Sequence, residues 1–256
     1  MQNLTSINLD TKKTAKMIFI FFITIEITFL FLDFIINYNH FIDYGPIRRL
    51  FNIAREDSFS SWFMSAQTLL SGMVLLGIFL IKKKINSKAN FQVLGWFILA
   101  SFFIYMAADD AALIHERLGS TFELISKEST NDIYLNFPSY AWQVVVLPFF
   151  IGMGIFILIF LWKVFKKEHL FINIVFAFLM FTIAVVLDFF EGVDKDSPLY
   201  IYNSIQVFLN VELFSVEHYS KAIEELFEMI GMTIFLVTFI EYIGKIKEGN
   251  IVIQIK

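Results

Sequence analysis

Six runs of mainly apolar residues, at about 17–37, 59–81, 91–114, 142–162, 170–190 and 226–243, account for about half of this chain. A helix needs roughly 20 such residues to cross the hydrocarbon core of a bilayer. The runs therefore predict an all-α integral membrane bundle of six transmembrane helices. Composition agrees, since 57% of the residues are hydrophobic and 33 are Phe, against roughly 45–50% apolar residues in a soluble domain. The first run follows Lys12, Lys13 and Lys16, as a signal peptide would, but Asp33-Phe-Ile-Ile-Asn-Tyr-Asn-His40 offers no small-residue cleavage site. It reads as a retained helix. The expected organisation is an N-terminal segment over 1–16, one membrane domain over 17–245 and a tail over 246–256.

Orientation follows from the basic residues. With six alternating spans, Lys12, 13, 16, 82, 83, 84, 88, 163, 166, 167, 245, 247 and 256 all fall on one side. Arg48, Arg49, Arg55, Arg117, Lys127, Lys195 and Lys221 fall on the other. The positive-inside rule then puts both termini in the cytoplasm. Acidic residues show the opposite bias: all but Asp10, Glu26, Glu168, Glu241 and Glu248 of the 24 lie toward the outer end. Two outer connections read as more than turns. Gly45-Pro-Ile-Arg-Arg-Leu-Phe-Asn-Ile-Ala54 has apolar residues at helical spacing behind a proline, which predicts a short interfacial helix. The aromatic segment 199–213 predicts an interfacial helix or lid.

Ionisable groups near membrane depth are costly and normally face a bundle interior, a cavity or one another. At about 1.5 Å per residue from the lysine clusters, Asp33, Asp109, Asp188 and Glu228 lie roughly 25–29 Å deep, in one layer. Glu56, Asp57, His115, Glu116, Glu191, Glu224 and Glu225 follow just above. In a continuous helix Asp109 and Glu116 share a stripe, and Asp110 points elsewhere, toward Arg117 or another neighbour. Glu217, Lys221, Glu224 and Glu228 form a line continued by Gly231, and Glu56, Ser60, Gln67 and Ser71 form another. Such lines face the bundle. Gathered carboxylates cannot all stay ionised without protons or a compensating cation. Arg55, Arg117 and Lys221 could supply that charge in a structural girdle. So could a metal. The chain has no cysteine, so any metal site uses oxygen and imidazole ligands, which favours Fe, Mn, Ca or Mg over structural Zn. The candidate ligands are Asp109, His115, Glu116, Glu228, Glu56 and Glu191, and the candidate proton-transfer groups are Glu116, Glu224 and Glu225. Soluble dimetal bundles use Glu-x-x-His pairs, which this chain lacks. His40 and His169 read as loop residues, His218 as a ligand or a surface residue, and Trp62, Tyr140 and Trp142 as an aromatic belt.

Glu56 with Ser61-Trp62-Phe63, then Asp109-Asp110-Ala-Ala-Leu-Ile-His115-Glu116, then Glu224-Glu225-Leu-Phe-Glu228-Met-Ile-Gly231 stand in an order that resembles a prokaryotic family of uncharacterised polytopic membrane proteins. That family carries an Asp-(Asp/Glu)-Ala-Ala-x-x-His-Glu signature. The resemblance implies a fold over spans 2 to 6 and the positions of these motifs, and it implies no activity. The charge bias, for its part, predicts a cytoplasmic (inner) membrane protein with the acidic site facing the extracytoplasmic side. The alkaline ceramidase and progestin receptor group is also similar in placing a metal among membrane helices, but it uses a late His-x-x-x-His where this chain has Glu224 and Glu228.

Three functions are consistent with this pattern. One is a metal-dependent hydrolase or oxidoreductase acting on a lipid or hydrophobic substrate at the outer leaflet. The second is a proton- or cation-coupled transporter or channel, for which the polar residues below the acidic layer, Gln67, Ser71, Thr233 and Glu26 among them, make a thin path. The third is an accessory subunit that holds a membrane protein partner. Basic residues in short clusters beside apolar runs argue against a nucleic-acid partner.

Overall fold

The computed structural model describes residues 5–85, 90–129, 137–166, 168–246 and 250–255. Lys88, Asp132, Lys167, Lys247, Glu248 and Lys256, counted above in the charge bias, lie outside them. Among the described residues ten α-helices follow in order: α1 Thr11–Asp33, α2 Gly45–Leu50, α3 Phe59–Ile85, α4 Phe91–Ala112, α5 Ile114–Ser129, α6 Ala141–Val145, α7 Leu147–Phe165, α8 Leu170–Glu191, α9 Tyr202–Leu209 and α10 Leu213–Ile246. Six of them, α1, α3, α4, α7, α8 and α10, are long and apolar enough to cross a membrane, α1 being prolonged by a π-helical turn over Phe34–Tyr38. The chain is thus a polytopic, six-helix apolar bundle. Strands Thr5–Asp10 (β1) and Asn250–Ile255 (β2) pair antiparallel, so the start of α1 and the end of α10 lie together, as an even number of spans requires.

Local chemistry sets the helix ends. The Asp10 carboxylate accepts the backbone N–H groups of Lys12 (3.0 Å) and Lys13 (3.1 Å), and Asn90 accepts that of Val93 (2.9 Å). These side chains satisfy donors that the first helical turn leaves open. α4 ends at Leu113, which takes the left-handed conformation at φ 53°. A side chain there costs roughly 1–2 kcal/mol. The expected continuous helix through Glu116 is therefore broken, and α5 starts again at Ile114 in a new direction. Other boundaries differ from expectation too: the first helix starts early, at Thr11, the fourth span is delayed to Leu147 by the short α6, and the sixth begins thirteen residues early, at Leu213.

The main core lies toward the lysine-rich end. There Trp96, Leu99 and Phe103 of α4, Phe160 and Phe165 of α7 and Phe235, Phe239 and Tyr242 of α10 pack together, with Trp96 stacked on Tyr242 at 5.1 Å. A smaller cluster joins α1, α3 and α10 through Phe63, Met64, Ala222 and Met229. α8 approaches α10 closely at Gly231, where an added Cβ would stand 2.8 Å from the Phe181 ring. Met17, Phe21 and Phe31 of α1 and Ile151 and Ile155 of α7 are exposed on the bundle surface, which is ordinary for helices whose solvent is lipid.

Candidate functional site

Toward the end of the bundle away from the lysine clusters the helices part around a chamber of about 490 Å³. Its polar wall carries Glu56, Asp109, Asp110, His115, Glu116, Asp188, Lys221, Glu224, Glu225 and Glu228. Beneath them the lining is apolar: Phe102, Phe103 and Met106 from α4, Leu147 and Phe150 from α7, Phe178, Phe181 and Val185 from α8, Met232 and Phe235 from α10. The chamber is also lined by Ile151 and Ile155 of α7 (each 53% exposed) and Val186 of α8 (48% exposed). Residues that line the cavity and the outer surface at once mark an opening between α7 and α8. Gly154, between the two isoleucines, adds no side chain there.

The break at Leu113 brings His115 back over Asp109. One Asp109 oxygen accepts the His115 backbone N–H (2.9 Å), the other meets His115 Nδ1 (2.7 Å), and Asp109 is fully buried. The ring stands edge-on to Trp142 at 4.9 Å. With Nδ1 committed to Asp109, chemistry toward the chamber falls to Nε2. Burial of the ring opposes its charged form, but the Asp109 hydrogen bond and the charges of Asp109, Glu116 and Asp110 outweigh it and hold the His115 pKa above its ordinary value. Glu116, beside it on α5, is pushed above the usual carboxylate range by burial and then by the charge of Glu56.

Lys221, on the first turns of α10, is the hub of the other half. Its Nζ lies 2.8 Å from Glu224, 3.6 Å from Glu225, 3.6 Å from Glu191 and 3.9 Å from Glu56. Tyr140 donates to Glu191 (3.3 Å), Gln143 of α6 donates to Asp188 (2.7 Å), and Thr68 of α3 donates to Asp110 (3.3 Å). Glu224 is 3% exposed, yet its Oε2 has no hydrogen-bond partner among the described residues. Eight carboxylates therefore line the chamber against one lysine and one imidazole. Charges this close require protons or a further cation for balance. Among the described residues no three His, Asp or Glu side chains converge as a metal site.

Of the residues singled out from the sequence, Asp109, His115, Glu116, Glu224, Glu225, Glu228, Glu56 and Asp188 share this chamber, and Glu191 reaches its lysine. Asp110, expected to point away, lines it too, and bonds to Thr68 rather than Arg117. Others lie elsewhere. Asp33 pairs with His218 (2.7 Å) and accepts from Asn37 (2.9 Å). Glu217 bonds to Lys195 and Tyr200, and Asp57 is held down to about 2 by hydrogen bonds from Arg49 and Arg55. Of the α3 polar line, Ser60 pairs with Ser58 (2.6 Å). Gln67 donates to Glu26 (2.8 Å) and to Thr233 (2.7 Å), and Thr233 donates to Glu26 (2.6 Å), deep in the bundle. Sequence reasoning gave no role to Gln143 or Thr68 and read Trp142 as belt. Lys221 did carry a signal, since it stands three and four residues before Glu224 and Glu225 on one helix.

The fold and chamber define a class: a polytopic helical membrane protein that holds a carboxylate-rich cavity at one end of its bundle. The chain belongs to the family described as Domain of unknown function (DUF8692), whose model matches residues 18–242. No curated protein and no solved structure matches the chain.

Proposed function

We propose that this chain is a cation-dependent membrane enzyme acting on an amphiphile drawn from the bilayer. The observation that carries the reading is the chamber itself: a carboxylate wall with more negative charge than Lys221 and His115 can balance, set on an apolar pocket that opens sideways between α7 and α8. The apolar part suits a hydrocarbon chain and the polar part its headgroup. In this reading the Asp109…Glu116 stretch is the signature of the family, with Asp109 as the positioning residue that fixes the tautomer of His115 so that Nε2 is left as a ligand, and Glu116 as the proton-handling group. The positive-inside bias supports a placement with both termini cytoplasmic and the chamber on the extracytoplasmic side, α2 and α9 lying at that interface.

The donor chemistry suits a hard divalent ion such as Fe, Mn, Ca or Mg, and the partnerless Glu224 Oε2 is free to take one. Glu224, His115, Glu228, Glu56 and Glu191 would hold it once the Lys221 ammonium leaves its four carboxylates. When bound, such an ion supplies Lewis acidity and an acidified water. The test is elemental analysis of protein purified in mild detergent. Stoichiometric metal that falls in Glu228→Gln and His115→Ala, both monodisperse, supports the reading. Wild-type protein without metal, even after incubation with each ion, overturns it. A second reading, a proton- or cation-coupled transporter, is favoured by the Glu26–Gln67–Thr233 cluster, in which Glu26 Oε2 and Gln67 Oε1 have no hydrogen-bond partner among the described residues. Flux in proteoliposomes lost in Glu26→Gln would support it.

A further inference from the structure

A second concavity, of about 610 Å³, lies at the opposite, lysine-rich end, where α1 and α8 flank α10. Three helical stripes line it: Lys12, Lys16 and Phe19 on α1, Asn173 and Phe176 on α8, and Ile234, Val237 and Glu241 on α10, with Asp10 and Lys13 at the rim. Spacings of three and four put each set on one face. Because α1 and α8 run into the membrane from this end and α10 runs out through it, the order of residues along the groove is the same on all three. Lysines, Asn173 and Glu241 stand at the mouth; Phe19, Phe176, Val237 and Ile234 line the depth.

We propose that this groove is a binding site for an anionic membrane phospholipid, with its phosphate among Lys12, Lys13 and Lys16 and an acyl chain laid over Phe19, Phe176 and Val237. Charge complementarity selects the headgroup. The two carboxylates at the mouth are already engaged, Asp10 with the N–H groups of Lys12 and Lys13, and Glu241 with His169 Nε2 (3.1 Å). None of the three ammonium groups is held in an ion pair among the described residues, so net positive charge is left at the level of the headgroups. The polar-to-apolar gradient along the groove matches that of a phospholipid and not that of a soluble anion. A lipid seated here would tie α1 to α8, two helices otherwise joined through α10.

The test is native mass spectrometry of the full chain released from detergent with phosphatidylglycerol or phosphatidylcholine added at equal concentration. Wild type retains phosphatidylglycerol in preference. Lys12→Gln/Lys13→Gln/Lys16→Gln loses that preference, with affinity falling on the order of a hundredfold for three surface lysines. Lys82→Gln/Lys83→Gln/Lys84→Gln removes an equal charge at the same end, from a cluster where Lys82 sits over Tyr242 and Lys83 over Phe79, and keeps the preference. Val237→Trp, which fills the floor and leaves the lysines, weakens retention of either lipid. Equal retention of both lipids by wild type, or equal loss in the two triple variants, overturns the proposal and leaves only the general attraction of a basic membrane face. Inorganic phosphate displacing the lipid at matched concentration would overturn the requirement for an acyl chain.

Discussion

Asp109→Asn isolates the contact that most shapes the chamber. The change keeps the size of the side chain and keeps an oxygen to accept the His115 backbone N–H, now 2.9 Å away, but removes the charge facing Nδ1 at 2.7 Å. A hydrogen bond to a charged partner is worth about 1.5–3 kcal/mol, and a neutral one about 0.5–1.5 kcal/mol. The pH dependence follows from His115, whose folded pKa lies above its ordinary 6.5. A group raised in this way contributes stability that is fully present below the unfolded value and lost as pH rises through the folded value. Both bonds to the carboxylate lose their charge assistance, about 1–1.5 kcal/mol each, so the variant should be less stable than wild type by roughly 2–3 kcal/mol at pH 5.5, and the gap should shrink by about 1 kcal/mol or more once His115 is neutral in both. Thermal unfolding in detergent between pH 5.5 and 9, with His115→Gln and the double variant completing a cycle, measures it. A gap that stays constant with pH, or a coupling energy near zero, would refute the argument that Asp109 serves His115.

Two further perturbations test other parts of the bundle. Lys221→Gln leaves Glu56, Glu191, Glu224 and Glu225 without their shared ammonium; breaking a buried pair from one side costs about 3–5 kcal/mol. Lys221→Arg should recover part of this in thermal unfolding, and equal melting of wild type and Lys221→Gln would dissolve the girdle. Gly231→Leu drives a side chain into Phe181 and the Ala177 carbonyl and should cost about 1–3 kcal/mol or more, whereas Gly152→Leu, at a position with open space, should cost little.

The spans were legible because an apolar run of membrane length has few other uses, and the chamber was half legible because depth can be counted from a lysine boundary. What failed was direction. The stripe argument for Asp109 and Glu116 needs an unbroken helix, and the break falls on Leu113, a residue that carries none of the glycine or asparagine signal for a left-handed turn. The proximity of His115 to Asp109 exists only because of that break. Asp33 and His218 are 185 residues apart and pair across α1 and α10, which no local pattern announces. The line of Glu217, Lys221, Glu224 and Glu228 already read as helical, but its charges hid that this helix runs unbroken into the sixth span and starts at Leu213. Gln143 sits on a helix of five residues, too short for periodicity to register.

The side opening decides whether substrates reach the chamber from lipid or from water, and it can be tested cleanly because the chain has no cysteine. Met106→Cys puts one thiol on the apolar lining, and Ile155→Cys puts one on the outer lip of the gap between α7 and α8. If the gap is the entrance, a long-chain maleimide partitioned into liposomes should label both positions, and a charged water-soluble maleimide should label Met106→Cys far more slowly. Adding Gly154→Trp should then slow lipophilic labelling of Met106→Cys about tenfold or more, the effect of a barrier of roughly 1.4 kcal/mol. Ile155→Cys, already at the surface, should be unaffected. Gly154 is the right place for the plug because its Cβ direction meets only Phe178, at 3.3 Å, so a large side chain there must occupy the gap itself. Faster labelling by the charged reagent would move the entrance to the carboxylate wall. Unchanged labelling with Trp at 154 would mean that chains do not pass between these helices.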